Sequence, residues 1–178
     1  MSIKQKMLLT VAGSLILILL KLLLRQSDAD DLYFLLAPVS AIIEATGNYH
    51  AQFISGAGFF FRDLHVIINK SCSGATFMLT ALLPAGYLLL SYSRNVKSFF
   101  KTFPIALLFV YFLTILANTT RILTAIKLGG TSFLMGHIAP EKLHELLGMI
   151  TYLFYLISAF LLTEKLLQLK SRKYAHPA

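Results

Sequence analysis

Apolar residues run along this chain in blocks longer than a soluble core needs, separated by short polar connections. The first block spans 7–24, interrupted by Lys21 near its end. At a rise of 1.5 Å per residue it makes about 27 Å of helix, close to the hydrocarbon thickness of a bilayer. A short basic segment, Met1 to Lys6, precedes it. Arg25, Gln26, Ser27 and Asp28 follow and offer no small-x-small cleavage site, so the pattern predicts an uncleaved anchor rather than a removable leader. Lys21 can snorkel to the interface.

The second block, Leu32 to Ile43, contains Pro38 and stops at Glu44 and Gly47. It is too short to span, and an interfacial or re-entrant helix over 31–47 is predicted. From 52 to 70 the texture changes. Phe59-Phe60-Phe61, a polar Arg62-Asp63-Leu64 and His65 to Asn69 predict a small extracytoplasmic β-hairpin, with Gly56 and Gly58 bending the chain before it. Then come two clear spans, 75–92 with Pro84 tolerated inside it and 103–125, joined by a basic connection of Arg94, Lys97 and Lys101. A turn at Gly129-Gly130 and a loop to Pro140 lead to a last helix from about Glu141 to Leu169, with its span at 145–168. The predicted fold is an all-α integral membrane protein of one domain. It has about four transmembrane helices, one short interfacial or re-entrant helix and a small hairpin.

Composition agrees with that pattern. The chain is 57% hydrophobic and 13% charged with a mean hydropathy of +0.72, which indicates a membrane protein rather than a soluble core. Its formal charge of +8 raises the question of nucleic acid, and the distribution of charge answers it. With a cytoplasmic N-terminus and a second block that does not cross, nine cations (Lys4, Lys6, Arg94, Lys97, Lys101, Lys165, Lys170, Arg172, Lys173) fall inside with the single acid Glu164. The seven other cations are matched outside by seven acids. The whole basic excess is then the positive-inside bias, and no nucleic-acid partner is implied.

Candidate chemistry gathers at one face. Ser71-Cys72-Ser73-Gly74 holds the single cysteine and stands where the span 75–92 begins. Unpaired N–H groups in a helix's first turn favour thiolate and make the sulfur a better nucleophile. Against that stands the reading of a small buried hydrophobe. Arg121 falls at the outer end of 103–125, as a functional cation or a snorkelling anchor. His144 opens the last helix on the same face, as a proton carrier or an ordinary polar helix-start residue.

Ser71-Cys72-Ser73-Gly74, then Asn118-x-x-Arg121-Ile122, then His144-x-x-x-Gly148, in this order and each at the outer end of an apolar span, resemble the core of the exosortase/archaeosortase family. The match covers roughly Gly58 to Leu169. The chain lacks most of the additional N-terminal spans of many members and resembles a compact exosortase of the exosortase K type. The resemblance implies a multipass membrane cysteine peptidase or transpeptidase, similar to the sortases in chemistry and not in fold. Its partners would be exported proteins with a C-terminal sorting signal (short motif, hydrophobic helix, basic tail), within membrane lipid and without cofactor or metal. Cys72 would attack the substrate carbonyl, His144 would handle the proton leaving with the amine, and Arg121 would stabilise the oxyanion or orient substrate. Asn118, Ser73, Gly74 and Gly148 would support them. Asn118 would hold the guanidinium or the substrate backbone, and Gly148 would allow close approach. Tyr152 and Tyr155 continue the His144 face as packing residues.

Other signals are discounted. His144-Glu145 is half of a zinc-helix motif, but Gly148 stands where the second histidine must be. His50, His65 and His137 have no assigned role. Asn118-Thr119-Thr120 is formally a glycosylation sequon, but it lies at a membrane boundary within the arginine motif. Two alternatives stay open: a non-enzymatic membrane assembly factor, and a cysteine-dependent membrane acyltransferase.

Overall fold

The computed structural model describes residues 1–93, 95–129 and 140–175, with the side chains of 129, 140–144 and 169–175 outside the description. The elements are α1 (Ile3–Gln26), α2 (Tyr33–Gly47), β1 (Ala51–Ile54), β2 (Gly58–Phe61), β3 (Val66–Ile68), α3 (Ala75–Tyr92), α4 (Val96–Gly129) and α5 (Pro140–Ala175). Four helices, α1, α3, α4 and α5, are long and apolar enough to cross a membrane.

Helix α1 opens on a capping box in which Ser2 and Gln5 satisfy each other's backbone N–H groups, and none of its residues is buried. Its apolar surface is therefore turned outward, as are Phe112 on α4 and Phe154 on α5, 60% and 66% exposed. Side chains of that size facing out along a whole bundle suit lipid rather than water. The core lies where α2, the sheet and α4 meet, and it contains Leu35, Leu36, Val39, Ile43, Phe61 and Ile68.

Helix α2 is short and packs on α4 and β2. Pro38 cannot donate to the carbonyl four residues back, which leaves Phe34 C=O without its helical partner. The Tyr111 hydroxyl of α4 donates to that carbonyl at 2.8 Å, so the defect becomes the tie between the two helices.

The hairpin expected over 52–70 is a three-stranded antiparallel sheet in the order β1-β2-β3. β2 and β3 are the two runs expected, joined by a 3₁₀ turn at Arg62–Leu64, and Ala51–Ile54 adds a strand that the sequence pattern hides. β1 is anchored by side chains from elsewhere: Glu44 Oε1 accepts the Ala51 N–H at 2.7 Å, and Asp30 Oδ2 accepts Ser55 Oγ–H and Gly56 N–H, both at 2.9 Å. Gly58, at φ +113°, could carry no side chain, because a Cβ would strike the Ile68 carbonyl across the strand pair.

Helix α4 begins at Val96 rather than at 103. Asn95 Oδ1 accepts the Ser98 N–H at 2.8 Å as an N-terminal cap, so Lys97 and Lys101, expected in a loop, are helical. Arg94 and residues 130–139, which include Gly130 and His137, lie outside the described residues. α3, α4 and α5 pack together and enclose an apolar cavity of about 270 Å³, lined by residues such as Ala81, Leu88, Val110, Leu113 and Phe160. No titratable group among the described residues lines it.

Candidate active site

The chain from β3 into α3 is a succession of caps. Asn69 Oδ1 accepts the Ser71 N–H at 3.0 Å and the Ser71 hydroxyl at 2.6 Å, while Asn69 C=O accepts the Cys72 N–H at 2.9 Å. These bonds wind Lys70–Cys72 into a 3₁₀ turn. Lys70 Nζ donates to the Arg25 and Ser27 carbonyls and ties the turn to the end of α1. The Ser71 hydroxyl lies 3.9 Å from Cys72 Sγ.

Cys72 is half-buried and sits before α3, not in its first turn. That is the position expected of it, at the start of the span 75–92. Gly74 is the N-cap, and the Ala75 N–H is bonded to Ser73 Oγ at 3.2 Å. Ser73 thus serves as a buried cap. Gly74 has φ +74°, the left-handed region, and a Cβ there would come within 3.2 Å of Thr114 Cγ2 and 3.3 Å of Asn118 Cβ. Glycine supplies both the turn and the close approach that seats the cysteine turn on α4.

Asn118 is fully buried at that contact. Its Nδ2–H donates to the Cys72 carbonyl, 46 residues away in sequence, and its Oδ1 accepts the Tyr152 hydroxyl at 2.9 Å. A carbonyl can only accept, so the Asn118 amide has one orientation that satisfies both neighbours. That burial also removes the residue from any glycosylation.

One turn further, Arg121 is 6% exposed and is the only buried charged residue among those described. A snorkelling anchor would present its head at the surface, so burial in the bundle sets that alternative aside. The guanidinium carbon stands 5.2 Å from the Tyr152 ring centroid. A Cβ on Gly148 would lie 3.4 Å from Arg121 Cδ and Nη1, at van der Waals contact, so the arginine lies directly against this face of α5. Arg121 Nε and Nη2 are buried with no hydrogen-bond partner among the described residues. Among the described residues the ion pair is His50 with Asp63, on the exposed sheet side, where the His50 N–H donates to the carboxylate at 3.0 Å and holds Asp63 below its usual pKa.

The structure therefore gathers Cys72, Ser73, Gly74, Asn118, Arg121 and Gly148 around one point. His144 occupies the helix position one turn before Gly148, and its side chain lies outside the described residues. Tyr152, expected only to pack, does more: it stacks on Phe77 of α3 at 4.6 Å and bonds Asn118. Its spacing of four from Gly148 and eight from His144 was the available signal, since that register repeats one helix face. Tyr155 lies beside it, its hydroxyl 2.9 Å from Thr120 Oγ1.

Compared with known proteins, the chain matches no family model, no curated protein and no solved structure.

Proposed function

We propose that this chain is a membrane-embedded cysteine peptidase or transpeptidase of the exosortase kind, acting on exported proteins that carry a C-terminal sorting signal. The observation that carries the reading is Arg121. A buried cation with two unpartnered donors is costly, and it stands on the same Asn118 unit that grips the turn bearing Cys72. Such donors suit a charge that forms only during reaction.

In this mechanism the Cys72 thiolate adds to the scissile carbonyl carbon, and the negative charge passes to the carbonyl oxygen near the free donors of Arg121. Collapse breaks the C–N bond. His144 supplies the proton that leaves with the amine, and a thioester remains on Cys72. Water completes hydrolysis, whereas an amine on an acceptor completes transfer; in either case His144 takes up the proton of the incoming group. None of these steps calls for a cofactor.

Four apolar helices and the charge asymmetry support a multipass protein of the cytoplasmic membrane, with the cysteine turn and the sheet on the extracytoplasmic side. The test is Cys72→Ala in cells that make the substrate. Loss of one sulfur atom costs little packing, so the variant should remain in the membrane at the wild-type level while processing stops. Processing by a well-expressed Cys72→Ala protein would overturn the reading and favour an assembly factor.

A further inference from the structure

We infer that Tyr152 is the positioning residue of this site, one side chain that sets both the Cys72 turn and the Arg121 guanidinium. The inference rests on the peptidase reading for its functional meaning, but its geometry stands independently. Three contacts from two helices converge on this residue of α5. Phe77 of α3 stacks on it with ring centroids 4.6 Å apart and planes 23° apart. Arg121 of α4 stands 5.2 Å from its centroid, and its hydroxyl donates to Asn118 Oδ1 at 2.9 Å.

The hydroxyl matters because Asn118 must hold its orientation with no water to help. The Cys72 carbonyl can only accept, so it fixes the amide nitrogen on its side and turns Oδ1 to the other, where the Tyr152 hydroxyl donates to it. Asn118 thereby holds the carbonyl of the residue that carries the thiol. Losing the hydroxyl leaves that buried acceptor unsatisfied and loosens the hold on the turn. The ring has a separate task. Its face supplies the electrostatic support that lets the guanidinium stay buried with Nε and Nη2 unengaged. One residue thus couples the nucleophile's turn to the charge-stabilising group.

The two tasks come apart by substitution in the full-length protein. Tyr152→Phe keeps the ring and loses only the donor; Tyr152→Leu loses both. Cys72 is the only cysteine in the chain, so its rate of alkylation by N-ethylmaleimide in detergent micelles reports the turn directly, whatever the protein's activity. Tyr152→Phe should raise that rate about fivefold, the population shift of one ordinary hydrogen bond. Asn118→Ala should raise it at least as much, and Tyr152→Phe should add nothing in the Asn118→Ala background, because the hydroxyl acts through Asn118. In the processing assay Tyr152→Phe should lower kcat about tenfold with KM unchanged, less than the hundredfold or more lost with a direct donor. Tyr152→Leu should lose further through Arg121.

An unchanged alkylation rate in Tyr152→Phe, or an effect that persists undiminished in the Asn118→Ala background, overturns the inference. Wild-type protein that shows the alkylation coupling but processes nothing overturns the peptidase reading and leaves the positioning role of Tyr152 intact.

Discussion

Replacing Arg121 by methionine asks what the buried charge is for, because structural and functional roles predict opposite signs in stability. The side chain is 6% exposed, and Nε and Nη2 have no hydrogen-bond partner among the described residues. Each buried unsatisfied donor costs about 1–3 kcal/mol, and more when charged. The compensation visible in the structure is the Tyr152 ring at 5.2 Å, a contact worth about 0.5–2 kcal/mol. Methionine fills similar space, keeps the neighbourhood of Gly148, and gains a sulfur–aromatic contact of about 0.3–1.5 kcal/mol with the same ring.

Arg121→Met should therefore be more stable than the natural protein, by on the order of 1–4 kcal/mol, as when other buried ions give way to apolar residues. At about 2–4 °C per kcal/mol for a chain of this size, a midpoint shift upward of about 2 °C or more is expected from thermal unfolding in detergent. Processing should fall by at least about a hundredfold in the same variant. Arg121→Lys should process as slowly, since a mobile point charge cannot replace a planar set of donors. A lower midpoint for Arg121→Met would mean that the guanidinium holds the bundle together, and the claim that its donors await a substrate would fall. Near-normal processing by Arg121→Lys would have the same consequence.

Two further outcomes follow from the same geometry. In a Cys72→Ser background, a cysteine at Gln52 on the exposed face of β1 should react with an impermeant maleimide in intact cells and one at Lys97 should not; the reverse pattern would invert the proposed topology. Gly74→Ala forces an L-residue to φ +74° with its Cβ 3.2 Å from Thr114, so it should lose about 1–2 kcal/mol of stability from the left-handed backbone alone, and an unchanged unfolding midpoint would show that the turn relaxes freely.

Much of the architecture was legible because membrane helices announce themselves by length and polarity. The apolar run 75–92 coincides with α3, and the short block with its proline is the short helix α2. What stayed hidden was set by contacts distant in sequence. β1, four residues too short to show a strand pattern, is fixed by Glu44 on the Ala51 N–H, by Asp30 on Ser55 and Gly56 just beyond it, and by pairing with β2. The start of α4 was missed because hydropathy finds the part of a helix that suits lipid and not the whole helix. Capped by Asn95, it begins at Val96, seven residues before the expected start of the span, and 34 residues at 1.5 Å each run to about 51 Å, well beyond a hydrocarbon core of about 30 Å.

The candidate site divides in the same way. Residue types and their end of the bundle were readable: a thiol, an arginine and an asparagine one turn before it, and glycines where helices meet. How they engage was not, because it depends on the orientation of one amide and the position of one ring. Asn118 was expected to serve the guanidinium or the substrate, yet it holds the Cys72 carbonyl, and Tyr152 rather than Asn118 supports the arginine. With that exchange of partners, Nε and Nη2 of Arg121 are left without an acceptor among the described residues. Had Asn118 Oδ1 turned to Arg121, the guanidinium would be satisfied in the resting protein and would have to break a bond before receiving a developing charge. On the peptidase reading proposed above, committing the asparagine to the cysteine turn and giving the cation only the diffuse support of a ring face would keep those donors ready for the transition state.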